Sequence, residues 1–171
     1  KDNRTCRPLF SDAAAAIIVS RSGASNIGPF LFGTDGSGAE NLIVRNSASN
    51  IENGIEKTLY MNGAEVLLFT MSNVPKGIGK LIKDSGLNVD DIDMFFLHQA
   101  SKIVMSNIQR KLKVPDRKFP TNYEKHGNTV SATIPLLMAQ EEQKGNLKRG
   151  MKILLFGFGV GYSYGGCIVE Y

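Results

Sequence analysis

The chain has 171 residues, 42% hydrophobic and 21% charged, which is enough for one domain with a core and cramped for two. Its formal charge of +4 and pI near 9.1 suit an acidic partner, yet no Lys/Arg stripe with interleaved aromatics marks a nucleic-acid binder. Two isolated cysteines, no apolar run near about 18 residues and no apolar segment behind a charged start argue against a disulfide framework, a membrane span and a signal peptide; the expectation is a soluble, reduced, cytoplasmic protein.

The opening KDNRTCRPLFSD starts on Lys, shows no leader and reads as a piece of something longer. Residues 13 to 22, AAAAIIVSRS, carry Ile17, Ile18 and Val19 and predict the first strand. GPFLFGTDGSGAENLIVRN alternates apolar pieces with the turn Asp35-Gly36-Ser37-Gly38, the pattern of a hairpin connection. It lacks the lysine and the following helix of a phosphate-binding loop. Residues 48 to 61 predict a polar surface loop. NGAEVLLFTMSNVPKGIGKLIKDSG predicts helix on each side of a break at Pro75, Gly77 and Gly79, with Gly86 as the residue that closes it.

Asp90 and Asp91 lead into Met94-Phe95-Phe96-Leu97, a run with the length and composition of a strand buried on both faces. His98 and Gln99 stand at its carboxyl end. A helix follows, opening at Ala100, whose Ile103, Val104, Ile108 and Leu112 recur at helical spacing until Pro115 and Pro120 forbid continuation. Open α/β sheets place ligands at such junctions, although a lone histidine beside an apolar run is also read as a satisfied structural residue.

A second buried helix is predicted from near Asn128, with Val130, Ile134, Leu137 and Met138 on one face and Gly145 after its last turn; Pro135 inside it is tolerated only near the first turn. Two β-rich runs, Ile153 to Phe156 and Cys167 to Tyr171, close the chain around a turn with five glycines between 157 and 166. Gly157, Gly159 and Gly161 start a dinucleotide fingerprint that Tyr162 and the following strand break. The glycines instead predict backbone packed closely against another backbone or a ligand, with N–H groups free to donate.

Three polar fragments thus sit at element ends: His98, HGNT at 126–129 and GFGVG at 157–161. An imidazole N–H and an asparagine NH2 that converge on one point are neutral donors suited to an oxyanion or enolate developing on a thioester carbonyl. In their order and spacing, FLHQASK, YEKHGNTVSATIPLLMA and LLFGFGVGYSYGGCIVEY resemble the carboxyl-terminal half of the β-ketoacyl-acyl-carrier-protein synthase III family. RPLFSDAAAAIIV resembles the first strand of that half.

The resemblance implies an α/β fold, a thiolase-like half with a mixed five-stranded sheet flanked by helices over residues 1–171. It also implies an amino-terminal half, absent from this chain, that bears the nucleophilic cysteine, and a homodimer at full length. The implied reaction is a decarboxylative condensation of an acyl-coenzyme A starter with malonyl-acyl carrier protein. His98 and Asn128 would hold the malonyl thioester carbonyl, and the backbone at Gly159 and Val160 would serve the acyl carbonyl. Gln99, Lys102, Arg110 and Lys113 would border the docking site of the carrier protein, with Lys111 on the opposite side of the helix. Coenzyme A and carrier-protein thioesters enter as substrates, so no cofactor, metal, nucleic acid or membrane is expected. Cys6 and Cys167 are expected to be packing residues and His126 a solvent-facing neighbour. Ser11, Ala13 and Ala15 stand where the family commonly has glycines, Ser101 replaces a frequent asparagine, and Val160 interrupts the glycine run. A non-catalytic partner subunit of the same fold and a polyketide synthase of specialised metabolism remain alternative readings.

Overall fold

The computed structural model describes residues 6–19, 27–45, 47 and 58–171. In chain order the elements are β1 (Ile27–Thr34), β2 (Leu42–Val44), β3 (Leu59–Met61), α1 (Gly63–Asp84), β4 (Met94–Leu97), α2 (Lys102–Leu112), α3 (Tyr123–His126), α4 (Thr133–Gln143), β5 (Lys152–Gly159) and β6 (Ser163–Glu170). The main sheet runs β1-β6-β5-β4. β4 is parallel to β5, and the other pairs are antiparallel. β2 and β3 pair separately, so part of the expected polar loop is a strand; residues 48–57 of that loop lie outside the described residues.

β4 is buried on both faces, as its unbroken apolar run requires. Phe95 and Leu97 join Leu154, Phe156 and Phe158 of β5 beneath Val74, Ile78 and Leu81 of α1 and Val104, Met105 and Ile108 of α2. On the other face Met94, Phe96 and Ile153 meet Leu137 of α4. Phe95 and Phe96 have no exposed surface, and cutting either to alanine costs about 3 to 5 kcal/mol. The layered core therefore fixes where β4 ends and His98 begins.

The expected break at Pro75 does not occur: α1 is continuous over 22 residues. Proline lacks the N–H that would bind the carbonyl four residues earlier, which is that of Met71. Lys111 of α2 supplies the substitute, its Nζ lying 2.6 Å from Met71 O. Gly77 admits the rings of Phe156 and Tyr164 against the helix, at 2.9 and 3.0 Å from where a Cβ would stand. The helix closes at Ser85 with Gly86 at φ 70 and Leu87 N–H on Ile82 O, as its sequence predicts.

Pro135 falls in the first turn of α4, which starts at Thr133 after a 3-10 turn over Val130–Ala132. The C-terminal glycines lie largely within the strands; only Val160 to Tyr162 make the turn. Gly165 and Gly166 are needed because the rings of Phe32 and Phe156 lie across them. Gly166 also packs against backbone, as expected, since a Cβ there would stand 2.5 Å from Leu155 O.

Residues 11–19 form no strand and are exposed, Ile18 to 94%. A β-prone run becomes a strand only when a neighbour supplies the ladder, and no described residue pairs with 13–19. The main sheet accordingly has four strands among the described residues, not five; positions 20–22 of the expected strand lie outside them. Ser11, Ala13 and Ala15 all have negative φ, so the missing glycines leave no strain.

Candidate functional site

The carboxyl ends of the parallel pair β4 and β5 place His98 beside Phe158, ring centroids 5.3 Å apart and edge-on. The His98 backbone N–H donates to Phe156 O at 3.0 Å. The far side of the imidazole meets the start of α4, with Nδ1 2.8 Å from Thr133 Oγ1. Thr133 Oγ1 is 2.9 Å from Val130 O, and the Val130 N–H donates to Asn128 Oδ1 at 2.9 Å. Three hydrogen bonds in series therefore join the imidazole of His98 to the carboxamide of Asn128. Because Asn128 commits its oxygen, its NH2 is left to point elsewhere. Neither that NH2 nor His98 Nε2 has a partner among the described residues, and neither is sealed from the surface.

Burial pulls the His98 imidazole down from its ordinary 6.5 to about 4, against a backbone hydrogen bond to Val130 that acts upward. The ring is neutral at pH 7 and presents either one N–H or one lone pair to the site. Asn128 is 6% exposed, so what it offers is one desolvated edge.

Asn128 is gripped from behind by residues 9–11, whose own sequence carries no sign of this partner. Phe10 bridges it, Ser11 N–H donates to its carbonyl at 3.0 Å, and its own N–H donates to Leu9 O at 3.0 Å. Gly127 adopts φ 62 and ψ −158, a region essentially confined to glycine. A Cβ there would stand 2.9 Å from Ser11 Oγ and 3.1 Å from Leu9 O. The one available signal was negative: HGNT needs backbone partners, and its neighbours in sequence do not supply them.

The hairpin tip is anchored by Tyr162, which exchanges two backbone hydrogen bonds with Asp35 at 2.7 Å each. Its ring stacks on Phe69 at 4.2 Å. Val160 at the tip is 63% exposed, and among the described residues its N–H joins no backbone bond outside the ladder. Gly159 and Val160 follow Phe158 directly, so the tip, His98 and the 128–133 turn meet at one end of the sheet.

Gln99 does not belong to a docking surface. It is fully buried, donates to Leu97 O at 2.8 Å and accepts the Asn122 N–H at 3.1 Å. From there Asn122 Nδ2 reaches Gln140 Oε1 at 2.9 Å and Gln140 Nε2 donates to His126 Nε2 at 2.8 Å. His126 is therefore half-buried and engaged, not a solvent-facing neighbour. The relay Gln99, Asn122, Gln140, His126 braces the loop that carries Asn128. Lys102, Arg110 and Lys113 are exposed along α2, which Ser101 caps by accepting the Val104 N–H.

Neither Cys6 nor Cys167 is in a disulfide among the described residues, and Cys6 Sγ donates to Leu59 O at 3.8 Å. Cys167 lies opposite Leu155 in the ladder, and burial pushes its thiol up, the wrong direction for a nucleophile. Among the described residues no cluster of three His, Cys, Asp or Glu side chains could hold a metal ion, and no helix is long and apolar enough to cross a membrane.

A protein-family model described as 3-Oxoacyl-[acyl-carrier-protein (ACP)] synthase III C terminal matches residues 82–171. A beta-ketoacyl-[acyl-carrier-protein] synthase III from Clostridium acetobutylicum is 36% identical over 176 residues, covering 100% of this chain and 54% of its own length. The protein of the same description from Clostridium tetani is 33% identical over 184 residues, covering 100% and 55%. The crystal structure of 3-oxoacyl-[acyl-carrier-protein] synthase III from Aquifex aeolicus VF5 superposes with a TM-score of 0.87 at 27% identity, covering 100% of this chain and 53% of that one. The chain spans about half the length of the curated relatives it matches.

Proposed function

This chain belongs to the 3-oxoacyl-[acyl-carrier-protein] synthase III family, and we propose that it is the carboxyl-terminal domain of an acyltransferase joining an acyl-coenzyme A starter to malonyl-acyl carrier protein in fatty acid biosynthesis. A cysteine in the remainder of a longer protein accepts the acyl group as the starter thioester bond breaks and coenzyme A leaves as its thiol, which divides one hard step into two. The malonyl C–CO2 bond then breaks, CO2 departs, and the electron pair moves onto the thioester oxygen as an enolate. The enolate carbon attacks the acyl carbonyl and the cysteine thiolate leaves.

His98 Nε2–H and Asn128 Nδ2–H serve the enolate oxygen. Both are neutral donors, so they stabilise developing charge without handing the enolate a proton as an imidazolium cation would. The turn at Gly159 and Val160 offers a backbone N–H to the acyl carbonyl. Removal of one such donor costs about 3 to 4 kcal/mol of transition-state stabilisation. The acidic carrier protein docks along Lys102, Arg110 and Lys113. The complete enzyme is a cytoplasmic homodimer that needs no cofactor, and this chain alone is inactive because neither of its thiols is the nucleophile.

The observation that carries this reading is the run of contacts from His98 through Thr133 and Val130 to Asn128, with His98 Nε2 and the Asn128 NH2 both left without a partner among the described residues. Its test separates the two half-reactions in the complete protein that contains this chain. In His98→Ala and Asn128→Ala, acyl transfer from coenzyme A to the cysteine stays within a few-fold of wild type. Release of CO2 from the malonyl thioester falls about 100- to 1000-fold. Undiminished CO2 release in both variants rejects the assignment.

A further inference from the structure

The Thr133 hydroxyl stands between two atoms that compete for its single proton. Val130 O, at 2.9 Å, can only accept. His98 Nδ1, at 2.8 Å, accepts or donates according to which ring nitrogen is protonated. A proton directed to Val130 O requires Nδ1–H toward Oγ1 and leaves a lone pair on Nε2. A proton directed to Nδ1 requires Nε2–H, which faces the site. Without the hydroxyl no described side chain can donate to Nδ1, and nothing behind the ring holds its proton on Nε2.

We propose that Thr133 is the positioning residue that lets His98 present Nε2–H, by turning its hydroxyl proton onto Nδ1 when a thioester carbonyl occupies the site. A carbonyl oxygen accepts and never donates, so it selects this setting over the one with a lone pair on Nε2. The rotation breaks only the bond to Val130 O, and that carbonyl keeps the backbone N–H of Thr133 as a donor. The inference rests on the reading of His98 as a neutral donor, and it adds the residue that decides whether that donor exists.

The test uses the complete enzyme with Thr133→Val, which keeps the shape and removes the hydroxyl, and Thr133→Ser, which keeps the hydroxyl. With a non-decarboxylating malonyl-thioester analogue bound, imidazole 15N shifts are expected to report Nε2–H in wild type and Thr133→Ser, and Nδ1–H in Thr133→Val. The signal of His98 is identified by its loss in His98→Gln. CO2 release in Thr133→Val falls about tenfold or more in kcat with KM little changed, and Thr133→Ser restores it. Three results overturn the proposal: Nδ1–H in liganded wild type, Nε2–H in Thr133→Val, or equal loss of kcat in both variants. The wild-type spectrum decides even if Thr133→Val fails to fold. If His98→Ala keeps full CO2 release while the tautomer still follows position 133, the donor reading fails and the positioning role stands.

Discussion

Lys111 Nζ lies 2.6 Å from the carbonyl oxygen of Met71, the acceptor that Pro75 leaves without a donor. A proline ring also pushes against that carbonyl and turns it outward, and the ammonium meets it where it emerges. An exposed lysine on α2 thus keeps a proline-bearing α1 in one piece. Lys111→Met, which keeps the stem and removes the charge, is expected to lower stability by about 1 kcal/mol and Tm by roughly 2 to 4 °C. Neighbouring Lys113→Met, whose Nζ has no such bond, serves as the control in the same thermal unfolding series.

His98 makes stability depend on pH. Its folded pKa of about 4 lies below the ordinary 6.5 because burial disfavours the cation. The unfolded chain therefore binds more protons between these values, and stability rises with pH across that window. The contribution is complete above about 6.5, is lost as pH falls toward 4, and amounts to at most roughly 3 kcal/mol. Urea unfolding at intervals from pH 4 to 7 is expected to show this slope in the native sequence and a shallower one in His98→Gln.

Gly127 is expected to be intolerant of any side chain. Its φ of 62 with ψ of −158 costs an L-residue on the order of 1 to 3 kcal/mol, and its Cβ would press on Leu9 and Ser11. The displacement passes directly to Asn128. Gly127→Ala should lower CO2 release from a malonyl thioester by a larger factor than it lowers acyl transfer, and the ratio of the two rates measures that.

Charge reversal along α2 distinguishes docking from chemistry. With Lys102→Glu or Lys113→Glu, KM for a carrier-protein thioester should rise about tenfold at low salt, and this rise should shrink as salt screens the charges. KM for a small thioester mimic should barely move. Equal effects on both substrates reject a docking role for these lysines.

The parts of this fold legible in sequence are those whose causes are local. The four apolar residues before His98 needed no outside information to be read as a doubly buried strand, and Gly86 announced its left-handed turn. The departures come from long-range partners. Pro75 read as a break because Lys111, 36 positions later, was not visible as its remedy. Residues 13–19 read as a strand because propensity says nothing about whether a neighbour exists. The glycines of β5 and β6 read as one turn because the rings that require them, Phe32 and Phe156, belong to other stretches. At the site, His98 and Asn128 stood out by residue type and spacing. Thr133 did not, since a threonine at the start of a predicted helix looks like any other, and Gln99 looked accessible only until its partners Leu97 and Asn122 were in place.

β1 occupies one margin of the sheet, and its outward Phe30 and Phe32 are 57% and 79% exposed, with Ile17, Ile18 and Val19 also bare. Among the described residues no strand lies on the outer side of β1, and unpaired main-chain groups beside bulky apolar rings form an adhesive rim in water. Handled as 171 residues alone, the polypeptide would have its colloidal behaviour set by that rim more than by its modest positive charge, and a detergent or a covering protein surface would do more for its solubility than any change of buffer pH.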